Sequence, residues 1–349
     1  MSVTPPSVVW SEVLATLLRG EDLDEERAGG VLRAIMAGEA EASQIAGFLV
    51  ALRAKGEADT EIAGFVRAMV DAAVPIELDG PLLDTCGTGG DGAGTFNIST
   101  VTALVAAAAG VRVAKHGNRA ASGTCGSADL LEAWGVAIEL PAPAVATTVA
   151  ELGIGFLYAR SFHPAMRHVA PVRVQLGIRT VFNVLGPLSN PAGAAHQVVG
   201  VSDLALAPRM AAALRRLGKR HVLVVRSEDG LDELTTTAPS RVWEVRDGEV
   251  AEWTLDPAEL GLPGATLADL QGGSVEENVA IADAVLGGEP GPKADVVVLN
   301  TAAALYAADV VDDLAAGIVR AREVLASGDA LRLKDRWVAR SRELAGGAG

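Results

Sequence analysis

The chain has 349 residues, half of them hydrophobic and 4% aromatic, enough to bury one large core or two unequal ones. Its 29 Lys and Arg face 44 Asp and Glu, a net charge of −15, which excludes a nonspecific nucleic-acid surface because such a surface must be basic. Two cysteines, Cys86 and Cys125, exclude a disulfide framework at this length, and both read as small apolar residues.

The opening MSVTPPSVVW has neither a basic start nor an apolar signal core. The apolar run Val101–Gly110 is too short to span a bilayer, so a cytoplasmic location is expected. Up to about residue 75 the pattern is helical. Ala28, Val31, Leu32, Ile35 and Met36 recur at helical spacing, as do Ile45, Phe48, Leu49 and Leu52, then Ile62, Phe65, Val66, Met69 and Val70. This unit carries no obvious catalytic group, and its expected extra role is a homodimer contact.

The texture changes at Pro81. LDTCGTGGDGAGTFNIST, Leu83 to Thr100, reads as a short strand, a loop with five glycines and a helix start. Glycine lets backbone N–H groups approach an anion without a Cβ in the way, and a helix N-terminus adds free donors and a favourable dipole. A phosphorylated ligand is expected there. Gly87, Gly89 and Gly92 also satisfy the dinucleotide pattern G-x-G-x-x-G. That pattern requires an acid after the next strand. Here the next strand, Val111–Ala114, runs into Lys115-His116-Gly117-Asn118-Arg119, which suits a second phosphate. Asp91 inside the loop points to a sugar hydroxyl or a metal-associated ligand.

Beyond it, helical stretches (Ala128–Trp134, Ala144–Leu152, Ala205–Leu217) alternate with strand-like runs (Val136–Leu140, Ile154–Leu157, Gln197–Val201, His221–Val225). Such alternation predicts a largely parallel sheet covered by helices. Arg241–Trp253 reads as a hairpin about Asp247-Gly248. The run Val296–Leu299 fits a buried strand or a helix, and the tail from Asp312 is helical. Four polar segments each follow a strand-like run: the glycine loop, Lys115–Ser127, Arg160–Pro164 with Met166 and Arg173, and Asp229–Glu233. The carboxyl ends of strands meet at one crevice in open α/β sheets, so the four are expected to share a site. An acidic chain that binds anions must gather local cations, for which Lys115, Arg119, Arg173 and a divalent metal are candidates.

In order and at similar spacing, DTCGTGGDG with TFNIST, KHGNRAAS, RSFHPAMRHVAPVR, TVFNVLGPLSNPA and GLDELT resemble the signature series of the anthranilate phosphoribosyltransferases. The resemblance runs from about Val8 to Val338. It implies an α/β fold of the nucleoside phosphorylase and phosphoribosyltransferase type. A small all-helical N-terminal domain (1–75, with a returning segment at about 168–188) would stand beside a larger domain with a mostly parallel sheet (76–167 and 189–349). The implied reaction moves the phosphoribosyl group from phosphoribosyl pyrophosphate to the amine of anthranilate, releases pyrophosphate and requires Mg²⁺. Both partners are small molecules, with no nucleic acid and no membrane.

Implied contacts to phosphoribosyl pyrophosphate are Gly87, Gly90, Asp91, Thr95, Asn97, Ile98, Ser99 and Thr100, then Lys115, His116, Gly117, Asn118, Arg119, Ala120, Ala121, Ser122, Gly123 and Ser127. Gly87, His116, Asn118, His163, Met166 and Arg173 would face anthranilate. Ser99, Asp232 and Glu233 would hold magnesium, and Lys115, Asp232 and Glu233 would act in catalysis. Gly123-Thr124-Cys125 departs from the family, which often has serine or glycine there, so individual phosphate contacts of that loop stay open. Two rival readings are a nucleoside phosphorylase of the same fold and a non-catalytic paralogue that binds nucleic acid or a nucleotide. The acidic pair and the KHGN run weigh against the first. The presence of Asp232, Glu233 and Arg173 weighs against the second.

Overall fold

The computed structural model describes residues 8–120 and 124–347. The chain begins with four helices, Trp10–Leu18, Glu25–Ala37, Ala42–Lys55 and Asp59–Asp71. Their limits follow from local chemistry. Asp24 caps the second by accepting from the Arg27 amide, and Gly38 ends it in a left-handed turn. Glu61, fully buried, is satisfied by the Leu23 amide (3.0 Å), the Ala58 amide (2.8 Å) and Lys55 Nζ (2.9 Å), which offsets the cost of burying its charge.

The apolar faces of these helices pack around Phe48 and Phe65, whose rings meet edge to face at 5.8 Å. The same cluster takes in Val169, Val172, Val181, Phe182 and Leu185, so the helices Ala170–Leu176 and Phe182–Leu188 return to the helical unit. One chain segment thereby belongs to both halves of the molecule.

The sheet has seven strands: β1 (Leu83–Gly87), β2 (Val113–Gly117), β3 (Ile154–Tyr158), β4 (His196–Gly200), β5 (His221–Ser227), β6 (Ser240–Arg246) and β7 (Glu249–Leu255). Their spatial order is β3-β2-β1-β4-β5-β6-β7, with the first five parallel and the last two antiparallel. Alternate residues enter opposite cores. Val198, Leu223 and Val225 face one side, under the helices Ile98–Ala108 and Pro292–Ala307. Val199, Val222 and Val224 face the other, with the helical unit and the helix Ala207–Arg216. Asp247 and Gly248, both with positive φ, close the β6–β7 hairpin.

The strand order reverses between β1 and β4. That is the switch point at which open α/β sheets leave a crevice at the carboxyl ends of their strands. β1, β2 and β4 all end in glycine, and Gly87 lies opposite Gly200. A Cβ on Gly87 would come within 2.5 Å of Asp232 Oδ2, and one on Gly200 would overlap the main chain of Asp232. Gly200→Ala is therefore expected to push this segment outward and destabilise the fold by about 1–3 kcal/mol, the usual cost of overpacking. A thermal melt matching that of the parent would refute it.

Two expectations need correction, and one open reading is resolved. Val136–Leu140 is a buried connection. Val136, Ile138 and Leu140 are buried in alternation, which mimics a strand, but the Val136 amide donates to Leu131 O and the Ala137 amide to Ser341 Oγ. No ladder partner remains for them. The second strand starts at Val113 rather than Val111 and includes Lys115 and His116. Val296–Leu299 lies inside the helix Pro292–Ala307. Among the described residues no helix is long and apolar enough to cross a membrane.

Candidate active site

The glycine loop leaves β1 at the switch point. Gly89, Gly90, Gly92 and Gly94 all have φ between +63° and +83°. The Thr88 amide is tied to Gly200 O (3.0 Å), the Gly89 amide to Asp232 Oδ2 (2.6 Å) and the Ala93 amide to Asp91 Oδ1 (3.2 Å). The amides of Gly90, Asp91, Gly92 and Gly94 have no protein acceptor among the described residues. Successive free amides in backbone that alternates in hand, as at Gly90, Asp91 and Gly92, make an anion-binding concavity. Thr95 closes the loop by a bridge to Gln271. The helix Ile98–Ala108 follows, with Asn97 at its N-cap position. Asn97 makes no cap bond and sends Nδ2 to Cys125 O (3.0 Å). Ile98 and Thr100 are buried, so Ile98 can offer a ligand only its main chain.

Lys115 is 2% exposed. Its ammonium donates to Thr85 O (2.6 Å) and Ser99 Oγ (3.3 Å). Burial lowers its pKa, against the pull of Asp84 and Glu233. Asp84 lies nearby, raised by burial and held by Asn190 Nδ2 (2.8 Å) and the His116 amide (3.2 Å). Below the loop, then, sits a positive charge without a close anionic partner among the described residues.

His116 points to the opposite face of β2. Its Nδ1 lies 3.1 Å from Gly186 O, and its ring is 5.1 Å from that of His163, whose Nε2 lies 3.1 Å from Ser189 O. A carbonyl requires a donor, which assigns the His116 proton to Nδ1 and leaves Nε2, buried and unpartnered, as an acceptor. Burial, with His163 adding to it, pushes His116 down to about 3; burial pushes His163 down to about 4. Both folded values lie below the unfolded value near 6.5, so the unfolded chain binds more protons between them. The neutral pair thus contributes its full stability above about pH 6.5, and loses it as pH falls toward 4 and then 3. The melting temperature is expected to drop between pH 7 and 4.5, less steeply for His116→Gln. Parallel slopes would contradict the assignment.

Across from the glycine loop stands the acidic pair, on the connection after β5. Asp232 is 9% exposed and Glu233 half-buried, anchored by the buried Leu231 and Leu234 on either side. Burial, with Asp91 adding to it, raises Asp232 to about 6. Burial and Asp232 raise Glu233 further, opposed by Lys115 and by the Ser99 amide. Glu233 thus lies at Ser99, with Lys115 opposing its rise, and Asp232 lies at the Gly89 amide. Among the described residues no cluster of three His, Cys, Asp or Glu side chains stands ready to hold a metal.

The other wall is cationic. Arg173, half-buried on the helix Ala170–Leu176, lies 5.4 Å above the Phe182 ring and has no ion-pair partner among the described residues. Burial lowers its pKa. Met166 is half-buried against the helical unit's core. Sequence reasoning missed Arg179. Its Nη1 donates to Gly89 O (3.0 Å) and Nη2 to Thr88 O (3.5 Å), in the space a Cβ on Gly90 would need. One signal could have found it. No Asp or Glu occurs between Glu151 and Asp203, whereas Arg160, Arg167, Arg173 and Arg179 all fall in that interval.

The remaining candidates divide. Gly117 ends β2 against Ser127, whose Oγ donates to Asn118 O (3.2 Å), and Asn118 Oδ1 accepts from the Arg119 amide (2.8 Å). The Ala120 amide is taken by Asp129 (2.9 Å). Arg119 is not a free cation: it pairs with Asp129 (3.0 Å) and Glu132 (2.7 Å) beside the Tyr158 ring. Ala121, Ser122 and Gly123 lie outside the described residues.

Comparison with known proteins extends the picture. Residues 79–331 match the α/β domain of a glycosyl transferase family and residues 11–73 its helical bundle domain. An anthranilate phosphoribosyltransferase of Roseiflexus castenholzii is 54% identical over 324 residues, covering 92% of this chain and 95% of that protein. The crystal structure of anthranilate phosphoribosyltransferase from Thermus thermophilus superposes with a TM-score of 0.90 at 53% identity, covering 95% of this chain and 99% of that one. The Saccharomyces cerevisiae enzyme, in complex with phosphoribosyl pyrophosphate and Mg, superposes with a TM-score of 0.88 at 28% identity, covering 96% and 98%.

Proposed function

This chain belongs to the glycosyl transferase family of the anthranilate phosphoribosyltransferases, and we propose that its β1–β4 crevice carries out that family's reaction. The 5-phosphoribosyl group passes from phosphoribosyl pyrophosphate to the anthranilate amine. The bond from ribose C1 to the pyrophosphate oxygen breaks, a C1–N bond forms, and the amine gives up a proton. The product, N-(5-phosphoribosyl)anthranilate, is an intermediate of tryptophan biosynthesis.

The observation that carries this reading is the contact between Asp232 and the Gly89 amide with Lys115 close by. It joins an anion nest, a buried cation and a pair of hard oxygen donors at one strand edge. The free amides of the glycine loop bind the diphosphate and ribose phosphate. The Lys115 charge counters negative charge on the departing pyrophosphate, and in a site shielded from water such a charge counts for more than in solution. Ser99 Oγ, Asp232 and Glu233 would hold Mg²⁺, and they fit it. They are hard donors, and two of them are acids that burial has pushed up in pKa. Bound magnesium supplies positive charge to the leaving diphosphate.

Arg173 receives the anthranilate carboxylate, for which a guanidinium without a partner is suited. His116 and Met166 line the approach. Neutral His116 presents an acceptor, Nε2, to the amine. Anthranilate's amine is uncharged at pH 7, so orientation accounts for much of the rate. The exposed Val9, Leu18 and Val50 of the helical unit support a homodimer through that unit. Light scattering at micromolar concentration, showing only monomer, would rule it out.

The direct test follows anthranilate fluorescence on addition of phosphoribosyl pyrophosphate, with and without magnesium. Loss of fluorescence only with both supports the proposal. Activity with phosphate and thymidine in its place would favour a nucleoside phosphorylase.

A further inference from the structure

We propose that Asn300 is a positioning residue that sets the acidic pair Asp232–Glu233 for its ligand. The inference rests on the reading of that pair as the magnesium and diphosphate site. Asn300 sits in the helix Pro292–Ala307, where every residue from Val296 to Leu305 is buried, and it is itself 2% exposed. An amide in so apolar a place is costly unless its bonds are made. Two of them leave the helix. Nδ2 donates to Leu234 O (2.7 Å) and Oδ1 accepts from the Leu234 amide (3.3 Å), while Nδ2 also donates to Val296 O one turn back (2.9 Å). One side chain therefore holds both polar groups of the residue that follows the acidic pair.

Neighbouring side chains on an extended chain point to opposite sides. Two consecutive acids converge on one ligand only if the backbone between them is bent and kept so. On one side Asp232 is fixed by the Gly89 amide (2.6 Å). On the other Leu234 is fixed by Asn300, which leaves Glu233 held between two anchors. Glu233 and Asn300 also line one small cavity with Thr85, Ser99 and Thr102. Asn300 touches no substrate and acts through the Leu234 peptide.

The decisive variant is Asn300→Ser. A buried serine can bond back to the carbonyl four residues earlier, so it keeps the Val296 contact and the helix while releasing Leu234. Asn300→Leu, which removes all three bonds, is the second variant, and Thr301→Val on the next position of the same helix is the control. Binding of phosphoribosyl pyrophosphate is measured by calorimetry across a magnesium titration, together with the Michaelis constants and the melting temperature. Loss of a group that orients metal ligands costs about 10–100-fold in affinity. Asn300→Ser is expected to weaken magnesium-dependent binding by that factor and to leave the Michaelis constant for anthranilate and the Thr301→Val profile at parental values. Parental binding by Asn300→Ser, or an equal loss in both substrates that tracks the melting temperature, overturns the inference. If Asn300→Leu does not fold, Asn300→Ser decides alone. A parent protein that shows no magnesium-dependent binding would overturn the functional reading itself, a result distinct from the failure of the Asn300 variants.

Discussion

Asp232→Asn is expected to lower kcat by about 10²–10³-fold, the usual cost of deleting one preorganised electrostatic group, and to raise the magnesium needed for half-maximal activity. The substitution is close to isosteric. The asparagine oxygen can still accept from the Gly89 amide, now bonded to Asp232 at 2.6 Å, so the loop keeps its shape and the loss reports charge. The negative charge removed is one that burial and Asp91 already disfavour, and a bound cation would offset that penalty. Magnesium titrations of variant and parent that superimpose would remove Asp232 from the metal site. A collapse of the melting temperature would instead assign the residue to the fold.

Arg173→Ala carries the second large effect, on the acceptor. A charge-assisted hydrogen bond contributes about 1.5–3 kcal/mol, or roughly 10- to 150-fold in kcat/KM for anthranilate. The Michaelis constant for phosphoribosyl pyrophosphate should stay near the parental value, because Arg173 stands over Phe182 and makes no hydrogen bond to the glycine loop among the described residues. Arg173→Lys should recover only part of the loss, since an ammonium cannot fork onto a carboxylate. An unchanged Michaelis constant for anthranilate in Arg173→Ala would show that the carboxylate binds elsewhere.

Features that chemistry confines to a short stretch were legible. A five-glycine loop before a helix, a basic run after the next strand and an acidic pair each announce themselves within a few residues. The helical unit was legible from periodicity, because Phe48, Phe65 and their neighbours must share one face to bury it. Features made by distant partners were not. Arg119 looked like a free cation until the fold brought Asp129 and Glu132 to it. Val136–Leu140 alternates like a strand because its three apolar side chains are buried, yet its amides go to a helix end and to Ser341. Arg179 meets Gly89 across 90 positions of chain, and Asn300 meets Leu234 across 66. No local pattern encodes such a meeting, although the acid-free interval around Arg179 hints at an anion nearby.

On the proposed reading, the sugar donor and the aromatic acceptor would be served by different kinds of matter. The first would be met mainly by peptide groups at a sheet edge, where β1 and β4 end in glycine. The second would be met by side chains on a strap that packs into the helical unit's core. Peptide groups are nearly indifferent to sequence drift, whereas side chains are not. Descendants of this scaffold are therefore free to change the amine they accept by exchanging the strap alone, while the taste for an activated ribose is inherited with the sheet.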